Sequence, residues 1–293
     1  MTHGSTYYES RGFCIYCGET NNLSDEHIVP YSLGGVHVLR KASCARCADI
    51  TKKFEQRVSR DLWGDARAAF NAPTRRRKER KTHIEIQDRK NVRNTLKFPV
   101  GEYPAGFVFY KMTKAGFLLD LPDDLDLTVH WQMSVIDDSG RRERFLEKHP
   151  DNLILKFRHV PYDFGRMLAK IGYGQILTSL DPGDFRPVCL PYILGTKTNV
   201  SFVVGGSMDD QAPMDIGYSL ETAGFGSLQR LILVATIRLY ANTASPAYHV
   251  VVGDIEGEEN VRRVMQKLEL KEGTGNVVLG DHGDKHWSPV KPF

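Results

Sequence analysis

The sequence predicts an α+β protein in two parts, a compact N-terminal ββα unit followed by a larger mixed α+β body. Three observations carry this. Residues 14–62 hold two Cys-x-x-Cys pairs bracketing a short hairpin pattern, then a helical one; a basic run follows Pro73; and from Gly106 onward short β-branched and aromatic runs alternate with Gly, Pro, Asp and Asn clusters. We therefore divide the chain into an N-terminal module over 1–72, a basic linker over 73–100 and an α+β domain over 101–293. At 293 residues the chain is long enough for two domains and a sizeable core, and a net charge of +3 supports no global electrostatic claim.

The cysteines come first in the argument because they constrain the module. Cys14-x-x-Cys17 and Cys44-x-x-Cys47 are separated by 26 residues. Two residues between cysteines let both thiolates face one ion, and two such pairs supply the four sulfurs of a structural, tetrahedral zinc site. The fifth cysteine, Cys189, stands alone, a usage that fits a reducing compartment better than a disulfide framework. With no basic start leading into an apolar run at the N-terminus, and no apolar run long enough to span a bilayer, the expectation is a cytoplasmic protein without a membrane partner.

Between the pairs, Asp25-Glu26-His27 leads into Ile28-Val29-Pro30, a short extended run ended by a residue that cannot donate to a ladder. Gly34-Gly35 turns the chain, and Val36 to Leu39 returns as a second strand. Asp49 then precedes Ile50, Phe54, Val58 and Leu62, apolar residues four apart, which read as a helix with Asp49 near its N-cap. Helix continues over Asp65 to Ala72.

These residues, CIYCG, DEHIVP, LGG and ASCARC in order, resemble the zinc-bearing branch of the HNH endonuclease family over about the first sixty positions. The resemblance implies a ββα-metal fold, His27 as general base, Glu26 as ligand of a catalytic Mg²⁺ or Mn²⁺, and Cys14, Cys17, Cys44 and Cys47 around a structural Zn²⁺. It also implies products with a 5′-phosphate and a 3′-hydroxyl, and a bacterial or phage setting such as restriction, defence or mobile elements. The chemistry agrees: an imidazole suits proton abstraction from water near neutral pH, and a hard cation on a carboxylate stabilises charge on a phosphodiester. Where the family carries asparagine or histidine in the second strand and after the last cysteine, this chain has His37 to Leu39 and Ala48-Asp49. His37 is thus the candidate for an orienting role, and Asp49 for a second metal ligand, although a helix cap explains Asp49 equally well. Thr51 and Glu55 are further candidates on the same helix.

Adjacent strand residues face opposite ways, so Glu26 and His27 can share a metal site only if the strand is irregular near its start, and that is the expectation. Arg75, Arg76, Arg77, Lys78, Arg80 and Lys81, with one intervening acid, form a run that is either a solvated segment or a set of contacts to nucleic-acid phosphates. Double-stranded DNA is the expected partner, and cutting both strands with one site per module favours a homodimer.

In the second part, strands are expected at Phe107–Tyr110, Gly116–Leu121, Leu127–Ile136, Leu153–Phe157, Cys189–Ile193, Val200–Val204, Leu231–Leu239 and Tyr248–Val252. Helices are expected at Tyr162–Leu180 and Glu258–Leu268. Nothing in these patterns assigns the second domain a role. Two rival readings follow: a zinc-dependent nucleic-acid-binding protein that does not cut, and a nuclease effector gated by an activating ligand or protein at the C-terminal domain.

Overall fold

The computed structural model describes residues 5–72, 78, 80–88, 90–91, 93–150 and 157–269. The N-terminal sheet has the order β1 (Thr6–Tyr8), β3 (His37–Cys44), β2 (Leu23–His27), with β1 parallel and β2 antiparallel to β3. The first strand therefore ends where it was expected to begin. Ile28 and Val29 are buried in the connection, and Pro30 caps a single 3₁₀ turn at Tyr31–Leu33 instead of closing a strand. That turn is closed by Gly34 in the left-handed region at φ 90, and a Cβ on Gly35 would run into the carbonyl of Val29, so each glycine answers a different demand.

The helix α1 (Ala45–Arg57) starts directly at the end of β3, with Cys44 as its N-cap residue. Asp49 is accordingly not a cap; it is exposed in the second turn, because the Cys44-x-x-Cys47 pair takes the strand end and the first turn. The helix widens into a π-helical stretch at Val58–Leu62, where Trp63 N–H donates to Val58 O at 3.1 Å, and α2 (Gly64–Ala69) follows.

The stretch expected as a linker holds a hairpin, β4 (His83–Gln87) with β5 (Thr95–Pro99), whose Ile84, Ile86 and Phe98 are buried. The alternation of apolar and polar residues in HIEIQ is the strand period that the basic run upstream obscured. A second hairpin joins β6 (Phe107–Lys111) and β7 (Gln132–Ile136), and α3 (Ser139–Lys148) is capped by Asp138, which accepts from Arg141 N–H at 3.0 Å. After α4 (Pro161–Ile176) come β8 (Arg186–Pro187), α5 (Leu190–Leu194) and β9 (Val204–Gly206). The chain then forms β10 (Tyr218–Gly226), β11 (Arg230–Leu239), β12 (Tyr248–Glu256) and α6 (Glu258–Lys267). β10, β11 and β12 make an antiparallel sheet, extended at the β12 edge by β8 and β9.

Three expected strands are helical. Gly116–Leu119 and Val200–Phe202 are 3₁₀ turns and Leu190–Leu194 is a short α-helix; Leu127–Ile136 is a strand only from Gln132, after a 3₁₀ turn at Thr128–His130. Short apolar runs do not distinguish strand from buried helix, whereas Pro191 just inside α5 and Gly195 in the left-handed region beyond it are helix punctuation. Most of the strand expected at Leu153–Phe157 lies outside the described residues.

One hydrophobic core runs from Cys14 to Leu268. Trp63 plugs the N-terminal module into the larger body: fully buried, it donates Nε1–H to Val108 O at 2.6 Å and packs against Phe107, Phe109, Phe164 and Tyr240. α4 lies between the two parts. At Gly172 a Cβ would stand 3.0 Å from Val250 and 3.2 Å from Ala235, so the helix sits close upon the sheet.

The body also carries an acid-sensitive contact. His249 on β12 accepts the Ala115 N–H through Nε2 at 3.0 Å, and burial, aided by Lys114, lowers its pKa from 6.5 to about 4. As pH falls below 6.5 the unfolded chain takes up a proton that the folded chain refuses until about pH 4. The contribution is therefore complete above pH 6.5 and is lost through that window, amounting to up to about 3 kcal/mol. Denaturant unfolding of wild type and His249→Gln from pH 7.5 to 4.5 is expected to show a steeper fall for wild type; parallel curves would refute it.

Candidate active site

The four cysteine sulfurs lie within 4.8 Å of one another. Cys14 and Cys17 sit on a turn in which Gly18 N–H donates to Cys14 O at 2.8 Å, and Cys44 and Cys47 come from the junction of β3 and α1. The Cys17 and Cys44 sulfurs are 3.7 Å apart, against about 3.8 Å expected across a tetrahedron with Zn–S bonds of about 2.3 Å. The donor set and spacing fit one zinc ion. The Cys17 thiol is lowered to about 7, chiefly by the backbone N–H of Glu19, whereas burial raises the Cys14 and Cys47 thiols.

The cysteine cluster joins the 14–17 turn to the junction of β3 and α1, and α1 in turn lines a cleft of about 450 Å³. Glu26 and His27 from the end of β2 both line it, together with Thr51, Lys52 and Glu55 of α1, Ser59 and Arg60 of the π-helical stretch, and Lys170 of α4. The irregularity expected near the strand start is a bulge: Arg40 to Ala42 of β3 stand opposite Asp25, whose Oδ1 accepts the Lys41 N–H at 2.9 Å. Glu26 and His27 themselves pair in regular register with Leu39 and Val38, and both line the cleft where β2 ends. Glu26 is buried, and the half-buried His27 ring meets Tyr31 edge-on at 6.0 Å.

Lys170 lies in the stretch Arg166 to Gly174, which the sequence reads as a packed core helix with no part in the site. Only 1 % exposed, its ammonium lies 2.8 Å from Glu26 Oε1 and 2.9 Å from Glu55 Oε1. It also donates to the backbone carbonyls of His27 and Ile28, the latter at 3.2 Å. An ammonium has three hydrogens and here four oxygen neighbours; the two carbonyls accept hydrogen bonds from it, the two carboxylates are ion-paired with it, and Glu55 Oε1 accepts no hydrogen bond. Burial works against the Lys170 charge, but the two carboxylates outweigh it and raise its pKa. Burial raises the Glu55 carboxyl, with Lys170 opposing and Glu26 reinforcing.

A signal for Lys170 was present. Asp163, Arg166 and Lys170 are spaced three and four apart in an otherwise apolar helix, so they share one face. Each meets α1: Asp163 pairs with Arg57 at 3.1 Å, Arg166 stacks over the Phe54 ring at 4.9 Å, and Lys170 takes Glu55.

The other candidates fall elsewhere. His37 makes a hydrogen bond with Tyr8 Oη at 3.1 Å through Nδ1 and does not line the cleft, and neither does Asp49. Thr51 lines it, with its hydroxyl donated to Ala48 O at 3.2 Å. Lys52, Arg60 and Arg67 add positive charge to the lining, and Arg67 also braces the turn by donating to Ser32 O and Ser59 O at 3.1 and 3.0 Å. Of the basic run, Arg75, Arg76 and Arg77 lie outside the described residues. Lys78 is exposed, Arg80 donates to Ala72 O at 2.9 Å and Lys81 pairs with Asp65 at 3.1 Å.

A family model described as HNH endonuclease matches residues 14–63, the stretch from the first cysteine of the cluster to the tryptophan that plugs the core. Residues 14–63 form an HNH domain. No curated protein and no solved structure matches the chain, so the larger body is described by its own fold alone. Among the described residues, no helix is long and apolar enough to cross a membrane. The cysteine cluster is also the only described group of three or more candidate ligands gathered around one point, so the acids of the HNH cleft do not by themselves complete a cage.

Proposed function

We propose that the protein is a metal-dependent endonuclease that hydrolyses phosphodiester bonds of DNA, with His27 as general base and Glu26 as ligand of Mg²⁺ or Mn²⁺. The observation that carries this reading is the cleft itself, lined by the His27 imidazole, by carboxyl side chains of Asp25, Glu26 and Glu55, and by the basic Lys52, Arg60 and Arg67. The donor set suits a hard cation: Glu26 and Glu55 present oxygens, one of them accepting no hydrogen bond, and magnesium commonly keeps several waters beside one or two carboxylates. When bound, the ion supplies Lewis-acid stabilisation of charge on the phosphoryl group.

The chain's own residues do the rest. His27 takes a proton from the attacking water, and the basic lining residues hold flanking phosphates without reading bases. The basic run from Arg75 to Lys81 supplies further cations for the phosphates of double-stranded DNA, and a homodimer would place two such sites for cutting both strands. An activating ligand or protein acting on the larger body remains compatible with this chemistry.

One observation favours a rival. Lys170 already neutralises much of the Glu26 and Glu55 charge, and in a protein that binds without cutting that pairing would be permanent. Nicking of supercoiled plasmid decides between them: cleavage that needs Mg²⁺ or Mn²⁺ and falls at least about tenfold in Glu26→Gln, with plasmid binding retained, supports the nuclease. Binding without cleavage under both ions supports the rival.

A further inference from the structure

We propose that Lys170, carried by α4 outside the HNH domain, is a positioning residue of the nuclease site, holding the acids and the backbone of the base in register. The inference rests on the nuclease reading above. Its ground is where the ammonium points: at Glu26 Oε1 and Glu55 Oε1, and at the carbonyls of His27 and Ile28. One group from a distant helix thus touches both the proposed metal ligand and the main chain of the proposed base.

Burial decides what kind of role this is. At 1 % exposure Lys170 cannot meet DNA, so it acts through its neighbours. One ammonium faces two carboxyl groups, a formal charge of −1 with both ionised. Removing the ammonium leaves two carboxylates facing each other, which repel and part, taking the metal ligand and the His27 carbonyl out of place. Removing Glu55's charge as well restores the net −1 with Glu26 alone.

The surroundings hold α4 where this role needs it. Tyr173 donates its hydroxyl to Ile15 O at 2.8 Å beside the cysteine cluster, Asp163 holds Arg57, and Gly172 seats the helix on β11 and β12. The site therefore includes a residue that the matched segment, 14–63, does not contain. On this account the HNH domain cuts only as part of the whole chain.

The test uses the full-length, zinc-loaded protein and a duplex oligonucleotide with Mn²⁺. Lys170→Met is expected to lower kcat by about 10- to 100-fold with KM for DNA unchanged. Lys170→Met/Glu55→Gln, whose charge is balanced again, is expected to recover part of that loss, and it also serves if the single variant does not fold. A folded Lys170→Met with wild-type kcat overturns the proposal, as does a loss that appears in KM, or a double variant whose losses simply add. Absence of cutting by wild type itself would mean that the nuclease reading has failed, and this inference with it.

Discussion

Cys47→Ser is expected to abolish zinc binding and to melt the HNH domain. Structural zinc sites contribute on the order of 10 kcal/mol of apparent folding free energy at neutral pH, comparable to the whole stability of a domain. Cys47 is fully buried in the first turn of α1, and an ion held by the four cysteines would fasten the Cys14 turn to the junction of β3 and α1. Without it, the buried Ile15 and Tyr16 are left with packing and the Ile15 N–H bond to Ala42 O at 2.9 Å to hold them to β3. The measurement is zinc per chain by mass spectrometry together with thermal unfolding. One zinc in wild type, none in Cys47→Ser and a much lower melting temperature are expected; an unchanged melting temperature in zinc-free protein would show that the aromatic core around Trp63 holds the domain alone.

His27→Ala is expected to lower the cleavage rate by roughly a hundredfold to ten-thousandfold, the usual contribution of a general base. The fold should survive, because Lys170 grips the His27 carbonyl and not the ring, and β2 pairs with β3 through main-chain bonds. DNA binding should survive as well, since the cationic lining is formed by other residues. Single-turnover cleavage at matched zinc content measures this. A rate within threefold or so of wild type would place the base elsewhere in the cleft, because a lost general base costs far more.

The cysteine cluster and the DEHIVP stretch were legible because their chemistry is local: ligand spacing and an acid beside a histidine survive in one dimension. The mixed α+β class was legible from strand-like runs such as Leu231–Leu239, which is β11 almost to the residue. What was not legible depends on long-range packing. Val36–Leu39 could be read as a return strand, yet its extension to Cys44 and the bulge opposite Asp25 are set by the paired strand and the cysteine cluster. The stretches at 116–121, 189–193 and 200–204 were taken for strands because short apolar segments look alike until their partners are known.

The site shows the same division. Asp49 and His37 were plausible by position in the sequence, but the start of α1 at Cys44 turns Asp49 to solvent, and Tyr8 of β1 engages His37. Glu55 could be named as a candidate because it lies on the motif helix. Lys170, 143 residues from His27 in the chain, enters the cleft only once α4 has packed across α1. Its polar stripe on an apolar helix was visible, but not what it would face.

The account's central claim is that this cleft hydrolyses phosphodiester bonds by metal-assisted, His27-dependent chemistry. The most direct measurement incubates supercoiled plasmid with zinc-loaded wild type and with His27→Ala, each in Mg²⁺, Mn²⁺ and EDTA at equal protein concentration. The account predicts nicked or linear product from wild type only, with a divalent ion only, bearing a 5′-phosphate and a 3′-hydroxyl. Intact plasmid in every wild-type lane, or equal cleavage by His27→Ala, would contradict it.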